Sequence, residues 1–278
     1  MAHEKGEQGF ALVLVLWTFL LLAVLVSSLL LEARTSRTVA ATGAEHLRAR
    51  LILDGAINRA IMALLDARDP LRLPLDGAVQ SIQLFGHKVA LRSESEAGKV
   101  NLNAAPPGLL AALFAGQGVP PAEAGLLAAR VATWRAPSLG MARSEAIAAY
   151  QDAGRRYGPR FAPFRSLGEL RLVLGMTDAL QAAVAPLTTV WSGDGSVDRS
   201  VAGEALLRVL ETTGDGLAAS QRAARAKGSA AGANRPAAVG EAVTIAAALE
   251  SKDFVLERVA VIQVAGDRRE PYRVLAWH

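Results

Sequence analysis

Hydrophobic and polar positions divide the chain into one long apolar segment and a series of shorter patterns. Residues 10–31 include no charged side chain. A helix of about 22 residues is roughly 33 Å long, which is enough to cross the hydrocarbon core of a bilayer. The sequence therefore predicts a membrane-spanning helix over residues 10–31.

The helical pattern continues after the apolar segment. Apolar positions recur at helical spacing on one stripe, formed by Leu53, Ile57, Ala60, Ile61 and Leu64. Because Asp69 and Pro70 then interrupt the pattern, we expect one long helix whose second half packs on a folded domain and which ends before these residues.

Residues that alternate between apolar and polar predict strands at two places. Around Gly86 the pattern indicates a hairpin of two short strands, and near the C-terminus it indicates strands over 242–249, 254–264 and Tyr272–Trp277. Between these two regions the chain is rich in leucine, alanine and helix-ending glycine and proline. We expect short helices there, over 109–114, 121–134, 144–157, 166–173, 177–184 and 205–210. Ser166 and Glu169 have the spacing of a capping box.

Composition excludes several classes of protein. Apolar residues make up 51% of the 278 and charged residues 20%, so the chain is not disordered as a whole. It has no cysteine, which excludes disulfides, thiolate metal sites and a cysteine nucleophile. The net charge of +4 is too small to indicate nucleic-acid binding by itself.

The start of the apolar segment resembles a site cut by prepilin peptidase. A short polar leader ends in Gln8-Gly9, and the apolar helix begins at Phe10. Most pilin-like proteins have glutamate at the fifth position of the mature chain, where this sequence has Leu14. The minor pseudopilin of type II secretion called protein K typically lacks that glutamate. The resemblance thus implies cleavage between Gly9 and Phe10, and a subunit that recruits no neighbour through a buried carboxylate.

The middle of the chain carries a second resemblance to protein K. Gly98-Lys99-Val100-Asn101-Leu102-Asn103 is followed by Pro106-Pro107 and a leucine-rich helix. Asparagine amides can satisfy free backbone groups where a strand gives way to a helix. The stretch 164–170, which leads into 187–192, is similar to the second helical unit of that family.

The same helical units leave a rival hypothesis open. Helix-hairpin-helix units often bind DNA through a glycine turn, and a membrane-anchored competence-type DNA receptor also has an Asn-Leu-Asn run. Here the turns at 116–121 and 174–178 contain no lysine or arginine, and the second contains Asp178. Because phosphate binding depends on cations, the turns favour packing over DNA binding.

The remaining candidate sites indicate neither a cofactor nor catalysis. Asp194, Ser196 and Asp198 alternate as at the start of a calcium loop, but Glu204 is not at EF-hand spacing. We therefore expect a solvated turn, no cofactor, and calcium only as an unsupported possibility. No common catalytic or nucleotide-binding motif occurs, so we expect the chain not to be an enzyme.

Together these patterns predict an α+β, pilin-like fold with an inserted all-α subdomain of two SAM-like or helix-hairpin-helix-like units. The predicted divisions are a leader at 1–9, a membrane helix at 10–31, and a helix with first strands at 32–99. They continue with helical units at 100–191, a third helical turn and flexible linker at 192–240, and final strands at 241–278.

The resemblance implies a minor pseudopilin in the tip complex of the periplasmic pseudopilus, which supports export of folded proteins. Its expected partners are other minor pseudopilins, the major pseudopilin, prepilin peptidase and the inner-membrane assembly platform, with no nucleic acid. The expected location is the bacterial inner membrane, single-pass, with the C-terminal domain in the periplasm. The charge rule alone favours the opposite orientation, because Lys5 precedes the span and four arginines follow it.

Overall fold

The protein was analysed as a computed structural model. It describes residues 5–66, 68–71, 73–136, 141–212, 235–251 and 254–278. The chain forms two compact units, one ending at Ile52 and the other running Leu53–His278. Each unit is described by itself.

Helix α1 runs Lys5–Leu65 as one continuous element, as the sequence predicted. In the first unit, every residue from 13 to 28 is exposed, including Leu14 at 53% and Trp17 at 65%. Among the residues searched, no helix meets the length and hydropathy needed to cross a membrane. The predicted membrane helix over 10–31 therefore stays a prediction.

In the second unit, α1 buries the predicted stripe. Leu53, Ile57, Ala60, Ile61 and Leu64 are all at most 5% exposed. The helix ends at Leu65, and the Asp69 carboxylate just beyond it accepts two hydrogen bonds from the Arg59 guanidinium, at 2.9 and 2.7 Å. This pairing lowers the pKa of Asp69, chiefly through the hydrogen bond from Arg59. The chain is thereby turned back along the helix towards the first strand.

Five antiparallel strands form the main sheet. The strands are β1 (Asp76–Leu84), β2 (His87–Ser95), β5 (Ala242–Glu250), β6 (Val255–Val264) and β7 (Tyr272–Trp277). Their order is β1-β2-β5-β6-β7. In the centre β2 pairs with β5, and Leu91 lies opposite Ala247. The sheet is thus completed by residues from both ends of the second unit.

A tight turn connects β1 to β2. Phe85 and Gly86 have φ values of 51° and 79°, which is the left-handed pair that a two-residue hairpin turn requires. Phe85 is 75% exposed. The hairpin predicted around Gly86 is confirmed.

The described residues between β2 and β5 form a helical block. Its helices are α2 (Pro107–Ala115), α3 (Pro121–Arg135), α4 (Arg143–Asp152), α5 (Asp178–Val184) and α6 (Glu204–Thr212), with a 3₁₀ helix at Leu167–Leu172. Two short strands, β3 (Val100–Asn101) and β4 (Thr188–Thr189), pair in parallel inside the block. Sequence patterns did not predict this two-residue ladder, because each strand is too short to show alternation.

An aromatic cluster anchors the block. The Trp134 ring stacks on Phe164 with centroids 5.9 Å apart, and Tyr150 lies 6.5 Å from Trp134. All three side chains are 3% exposed. Aromatic pairs of this kind add to the free energy of burial, so α3, α4 and the loop at Phe164 share one core.

The α+β class is confirmed, and two local predictions are wrong. Helix α4 ends at Asp152, not near Tyr157, because Gly154 (φ 69°) closes it. The Gly154 and Arg155 amides donate to the carbonyls of Gln151 and Tyr150, the pattern of a Schellman motif. The predicted capping box is absent: Ser166 makes no side-chain cap bond, and the helix after it is 3₁₀.

The C-terminal strands are confirmed within one or two residues of their predicted ends. Of the segment 192–240, predicted as a third helical turn and flexible linker, residues 213–234 lie outside the described residues. Within the described part, Arg235 is held by the Glu241 carboxylate.

The buried stripe of α1 generates a stability prediction. Ile57→Ala removes a fully buried side chain and should lower the free energy of unfolding by about 3 kcal/mol, through lost burial and a residual cavity. Met62→Ala on the same helix removes a 64% exposed side chain and should change it by less than about 0.5 kcal/mol. Guanidinium denaturation of the detergent-solubilised chain measures both, and equal losses would contradict the assignment of the stripe.

Candidate functional site: the polar junction

Polar side chains gather where the chain leaves the sheet and enters the helical block. We call this cluster the polar junction and define it by Glu96, Lys99, Asn101, Asn103, Thr189 and Glu241. The first four come from the segment after β2, Thr189 from β4, and Glu241 immediately precedes β5. The junction therefore connects both ends of the insertion to the sheet.

Glu96 is the most buried charged group of the junction, at 3% exposure. Its carboxylate accepts hydrogen bonds from the Thr189 hydroxyl, from the Thr244 hydroxyl at 2.7 Å and from the Lys99 ammonium at 2.7 Å. A buried carboxylate is costly unless it is paired and hydrogen-bonded. Here the required partners come from both the sheet and the helical block, so Glu96 holds them together.

Lys99 neutralises the negative charge of the carboxylates around Glu96. Its ammonium lies 2.7 Å from Glu96 and 3.0 Å from Glu94. Burial by itself lowers the pKa of Lys99, but the two carboxylates outweigh it, and the pKa is raised overall. The lysine stays charged, with Glu94 and Glu96 as its partners.

Asn101 organises the turn that follows β3. Its side-chain oxygen accepts from the Asn103 amide at 2.8 Å, and its side-chain nitrogen donates to the Ser192 carbonyl. The backbone of Leu102 pairs with Thr189 across the short ladder. As expected, an asparagine satisfies backbone groups at the strand end, and it also reaches a residue 91 positions away.

Asn103 acts over a longer range than the sequence suggested. Its amide nitrogen donates to the Phe164 carbonyl at 3.0 Å, and its oxygen accepts from the Phe164 amide at 2.7 Å. This two-point contact replaces a backbone pair, and it fixes the start of the second helical stretch against the first. Helix α2 has Pro106 at its cap position, so neither asparagine is the helix cap.

Two glycines allow backbones to approach closely. A Cβ on Gly98 would lie 2.5 Å from the Val201 carbonyl oxygen, and one on Gly195 would clash with the Ala104 carbonyl. No side chain fits at such distances. Gly98, part of the recognised motif, is therefore required by packing against the segment that leads to α6.

Arg135 supports the same turn from α3. Its guanidinium donates to the Leu102 carbonyl at 2.7 Å and to the Ala105 carbonyl at 2.5 Å, and the residue is 7% exposed. Burial lowers the pKa of Arg135. No sequence pattern indicates this role, because Arg135 ends helix α3, 33 positions from Leu102 and 30 from Ala105.

Glu241 closes the other side of the junction. Its carboxylate accepts from Arg235 at 2.6 and 2.8 Å, from the Ala238 amide at 2.7 Å, and from the Ser95 hydroxyl. Burial acts to raise the pKa of Glu241, but these hydrogen bonds, led by Arg235, lower it overall. The role of Glu241 was not predicted from the sequence, because nothing near it in sequence indicates its partners.

The sequence-predicted site residues are not part of the junction. Gly9, Phe10 and Leu14 lie in helix α1, in the unit that ends at Ile52. Cleavage between Gly9 and Phe10 and the significance of Leu14 stay predictions.

The possible calcium turn has other partners. Asp198 accepts from the Ser200 amide at 2.9 Å and hydroxyl at 2.6 Å, and its second oxygen lies 3.7 Å from Arg235. Over the described residues, no group of three or more histidine and acidic side chains is placed to hold a metal ion.

The two glycine turns meet along one groove of about 510 Å³, lined by residues of both, including Gly118 and Gly175. The turns themselves carry no cation, but the structure brings Arg130 of α3 against the second one, where it donates to the Leu174 carbonyl at 3.1 Å. This contact arises from tertiary packing. In it, the Arg130 guanidinium is engaged with a backbone carbonyl.

The polar junction is thus a rigid connector. Each of its charged groups is matched by hydrogen bonds or an opposite charge from the protein, an arrangement that suits joining two layers.

Asn103→Ala removes both hydrogen bonds to Phe164 and leaves two backbone groups short of partners. We expect the free energy of unfolding to fall by about 1–3 kcal/mol. Asn58→Ala, at an exposed position of α1, should have little effect or stabilise slightly. Denaturation curves of the two variants measure these changes. An unchanged midpoint for Asn103→Ala would show that the contact contributes nothing to the free energy of unfolding.

Glu241 generates a pH dependence. Because its pKa is lower in the folded chain than the ordinary 4.5, the stability it contributes is present above that value and lost as the pH falls below it. Glu241→Gln should therefore lower Tm at neutral pH and flatten the decrease of Tm between about pH 6 and pH 3. Asp152→Asn, which removes an exposed carboxylate, should keep the original slope. Parallel slopes for all three proteins would contradict the assignment.

Comparison with known proteins identifies this region. Residues 89–193 match the family model described as type II secretion system (T2SS), protein K. A search of curated protein sequences returns no match. Among solved structures, a chain of the GspK-GspI-GspJ complex from the enterotoxigenic Escherichia coli Type 2 Secretion System is similar, with a TM-score of 0.51 and 16% identity. The match covers 84% of this chain and 97% of that one.

At 16% identity the structural likeness concerns the fold, whereas the family match rests on the sequence of 89–193. That range contains most of β2, the recognised motif and the elements through β4, and so most of the polar junction. The resemblance stated from the sequence is confirmed: residues 89–193 match the protein K family of the type II secretion system.

Proposed function

We propose that this chain is the minor pseudopilin that sits in the tip complex of a periplasmic pseudopilus and supports export of folded proteins across the outer membrane. The observation that carries the proposal is the family match over 89–193, which contains all of the polar junction except Glu241. The fold likeness to a chain of the GspK-GspI-GspJ complex supports it. The proposal assigns the chain an assembly role and no catalytic step.

In this proposal, α1 and the five-stranded sheet form a pilin-like unit, and the helical block is an insertion of two helix-hairpin units. The fold supports the division, because β2 and β5 pair directly although the block separates them in sequence. The polar junction then fixes the bulky block to the sheet.

The proposal assigns residues 10–31 to an inner-membrane anchor with the folded unit in the periplasm. Large apolar side chains from Val13 to Val26 are exposed in the isolated chain, and such a surface is stable only against lipid or another apolar helix. Prepilin peptidase first removes the leader between Gly9 and Phe10.

At the fifth mature position, Leu14 replaces the acidic residue typical of pilin-like subunits. A leucine there costs nothing in an apolar environment, whereas a carboxylate needs a partner. The subunit therefore starts or caps an assembly. Its proposed partners are minor pseudopilins corresponding to GspI and GspJ, the major pseudopilin and the inner-membrane assembly platform.

The alternative function, a DNA receptor, is not favoured. The family match is to a secretion component, and Arg130 at the second glycine turn is engaged with a backbone carbonyl.

Processing tests the proposal most directly. When the chain is produced together with prepilin peptidase, N-terminal sequencing should begin at Phe10. Gly9→Val should keep the leader, because a branched side chain at the cleaved position blocks the peptidase, whereas Gly6→Val in the same leader should be processed normally. An intact Met1 in the presence of active peptidase would overturn the pseudopilin assignment.

A further inference from the structure

The helical block carries a cationic region that the polar junction does not use. Residues 143–171 include six arginines and three carboxylates, and the whole block from 100 to 212 contains no lysine. Five of the arginines are exposed, and we call them the arginine surface: Arg143, Arg155, Arg156, Arg165 and Arg171. The sixth, Arg160, is half-buried and paired with Glu169.

Contacts hold the segments that carry these arginines together. The Tyr150 hydroxyl, at the end of α4, donates to the Leu172 carbonyl at 3.1 Å and accepts from the Leu174 amide at 2.8 Å. Tyr157 packs edge-on against the Tyr150 ring with centroids 5.8 Å apart. Arg155 and Arg156 directly precede Tyr157, and Arg171 directly precedes Leu172. Tyr150 thus brings both groups of cations to one part of the block.

A second set of contacts adds the remaining two arginines. Glu169 accepts from Arg160 with both oxygens at 3.0 Å and from the Arg165 amide at 3.2 Å, which fixes Arg165 beside the 3₁₀ helix. Arg143 lies over the Phe161 ring, 4.2 Å from its centroid. Phe161 follows Arg160 directly, so Arg143 is joined to the same loop.

The charges on this surface are not neutralised within the described structure. Glu169, which accepts from the Arg165 amide, has its carboxylate paired with Arg160. Over the described part of the chain, none of the five guanidinium groups of the arginine surface forms an ion pair. Elsewhere in the second unit, Arg59, Arg235 and Arg258 each have a carboxylate partner. The five cations are therefore available to a partner.

The neighbouring side chains indicate which kind of partner fits. Tyr157 and Leu172 are 39% and 40% exposed, and each directly follows an arginine of this surface in sequence. Arginine and tyrosine are the residues enriched at the energetic centres of protein–protein interfaces, and guanidinium groups bind carboxylates with two hydrogen bonds. Binding to the phosphates of duplex DNA depends on cations and needs no such apolar component.

We propose that the arginine surface of the helical block binds an acidic surface of another protein, with Tyr157 and Leu172 at its apolar centre. The inference goes beyond the assembly role proposed above and does not depend on which subunits surround α1.

Binding to acidic polymers tests this proposal with the full chain in an uncharged detergent. The probes are poly-glutamate and a random glutamate–tyrosine copolymer, measured at about 50 mM salt and again at about 500 mM. We expect both polymers to bind at low salt, the copolymer to bind more tightly, and salt to weaken both.

The variants locate the binding. R155E/R156E should weaken affinity for both polymers about tenfold, whereas R268E/R269E, an equal charge change in the exposed turn before β7, should weaken it less than about twofold. Tyr157→Ala should remove the copolymer's advantage and leave poly-glutamate binding nearly unchanged. R156E alone, which leaves the end of α4 at Arg155 unchanged, serves as the second variant. Its melting temperature, compared with that of the unmodified chain, checks that the fold is intact.

Three results would overturn the proposal. The first is absence of binding to either polymer at low salt. The second is an equal loss in R155E/R156E and R268E/R269E, which would indicate net charge alone. The third is tighter binding to a DNA duplex or to phosphatidylglycerol vesicles than to the polymers, lost in R155E/R156E, which would assign the arginines to phosphate.

Discussion

The buried carboxylate of Glu96 is the group around which the second unit is arranged. It lies where β2 leaves the sheet, out of contact with water, and it is tolerated only because hydroxyls and an ammonium surround it. Those partners come from β4, from β5 and from Lys99. If the helical block moved away from the sheet, the carboxylate would lose its hydrogen bond from Thr189.

This constraint explains how a sheet can contain so long an insertion. Strands β2 and β5 pair in register although the entire helical block separates them. Both ends of the block are fixed close to the place where they leave and rejoin the sheet, by Glu96 at one end and by Glu241 with Ser95 at the other. Asn103 and Arg135 then fix the interior of the block to the same turn. A rigid connection of this kind lets a bulky block project from a small sheet without hinging.

The packing of the block also separates its arginines into two groups, one that binds backbone groups inside the block and one that is exposed. Arg130 and Arg135 are used internally, where they bind backbone carbonyls and hold helix α3 in place. The five arginines of the arginine surface are exposed, and they lie on segments that Tyr150 and Glu169 help to hold together. Arginine therefore has a structural role at some positions of the block and a surface role at others. The residues that surround it in space decide which role it has.

Local pattern was sufficient for the long helix, the hairpin and the last three strands, because burial on one face imposes a period that the sequence shows directly. The motif that contains Gly98, Asn101 and Asn103 could also be recognised from the sequence, because it is defined by residue types at a fixed spacing. The partners of these residues could not, because Phe164, Ser192 and Val201 are brought to the motif only by the folded chain. Contacts between distant positions leave no periodic trace, so the polar junction, the ladder of β3 with β4 and the early end of α4 were decided by tertiary packing and by backbone geometry at Gly154.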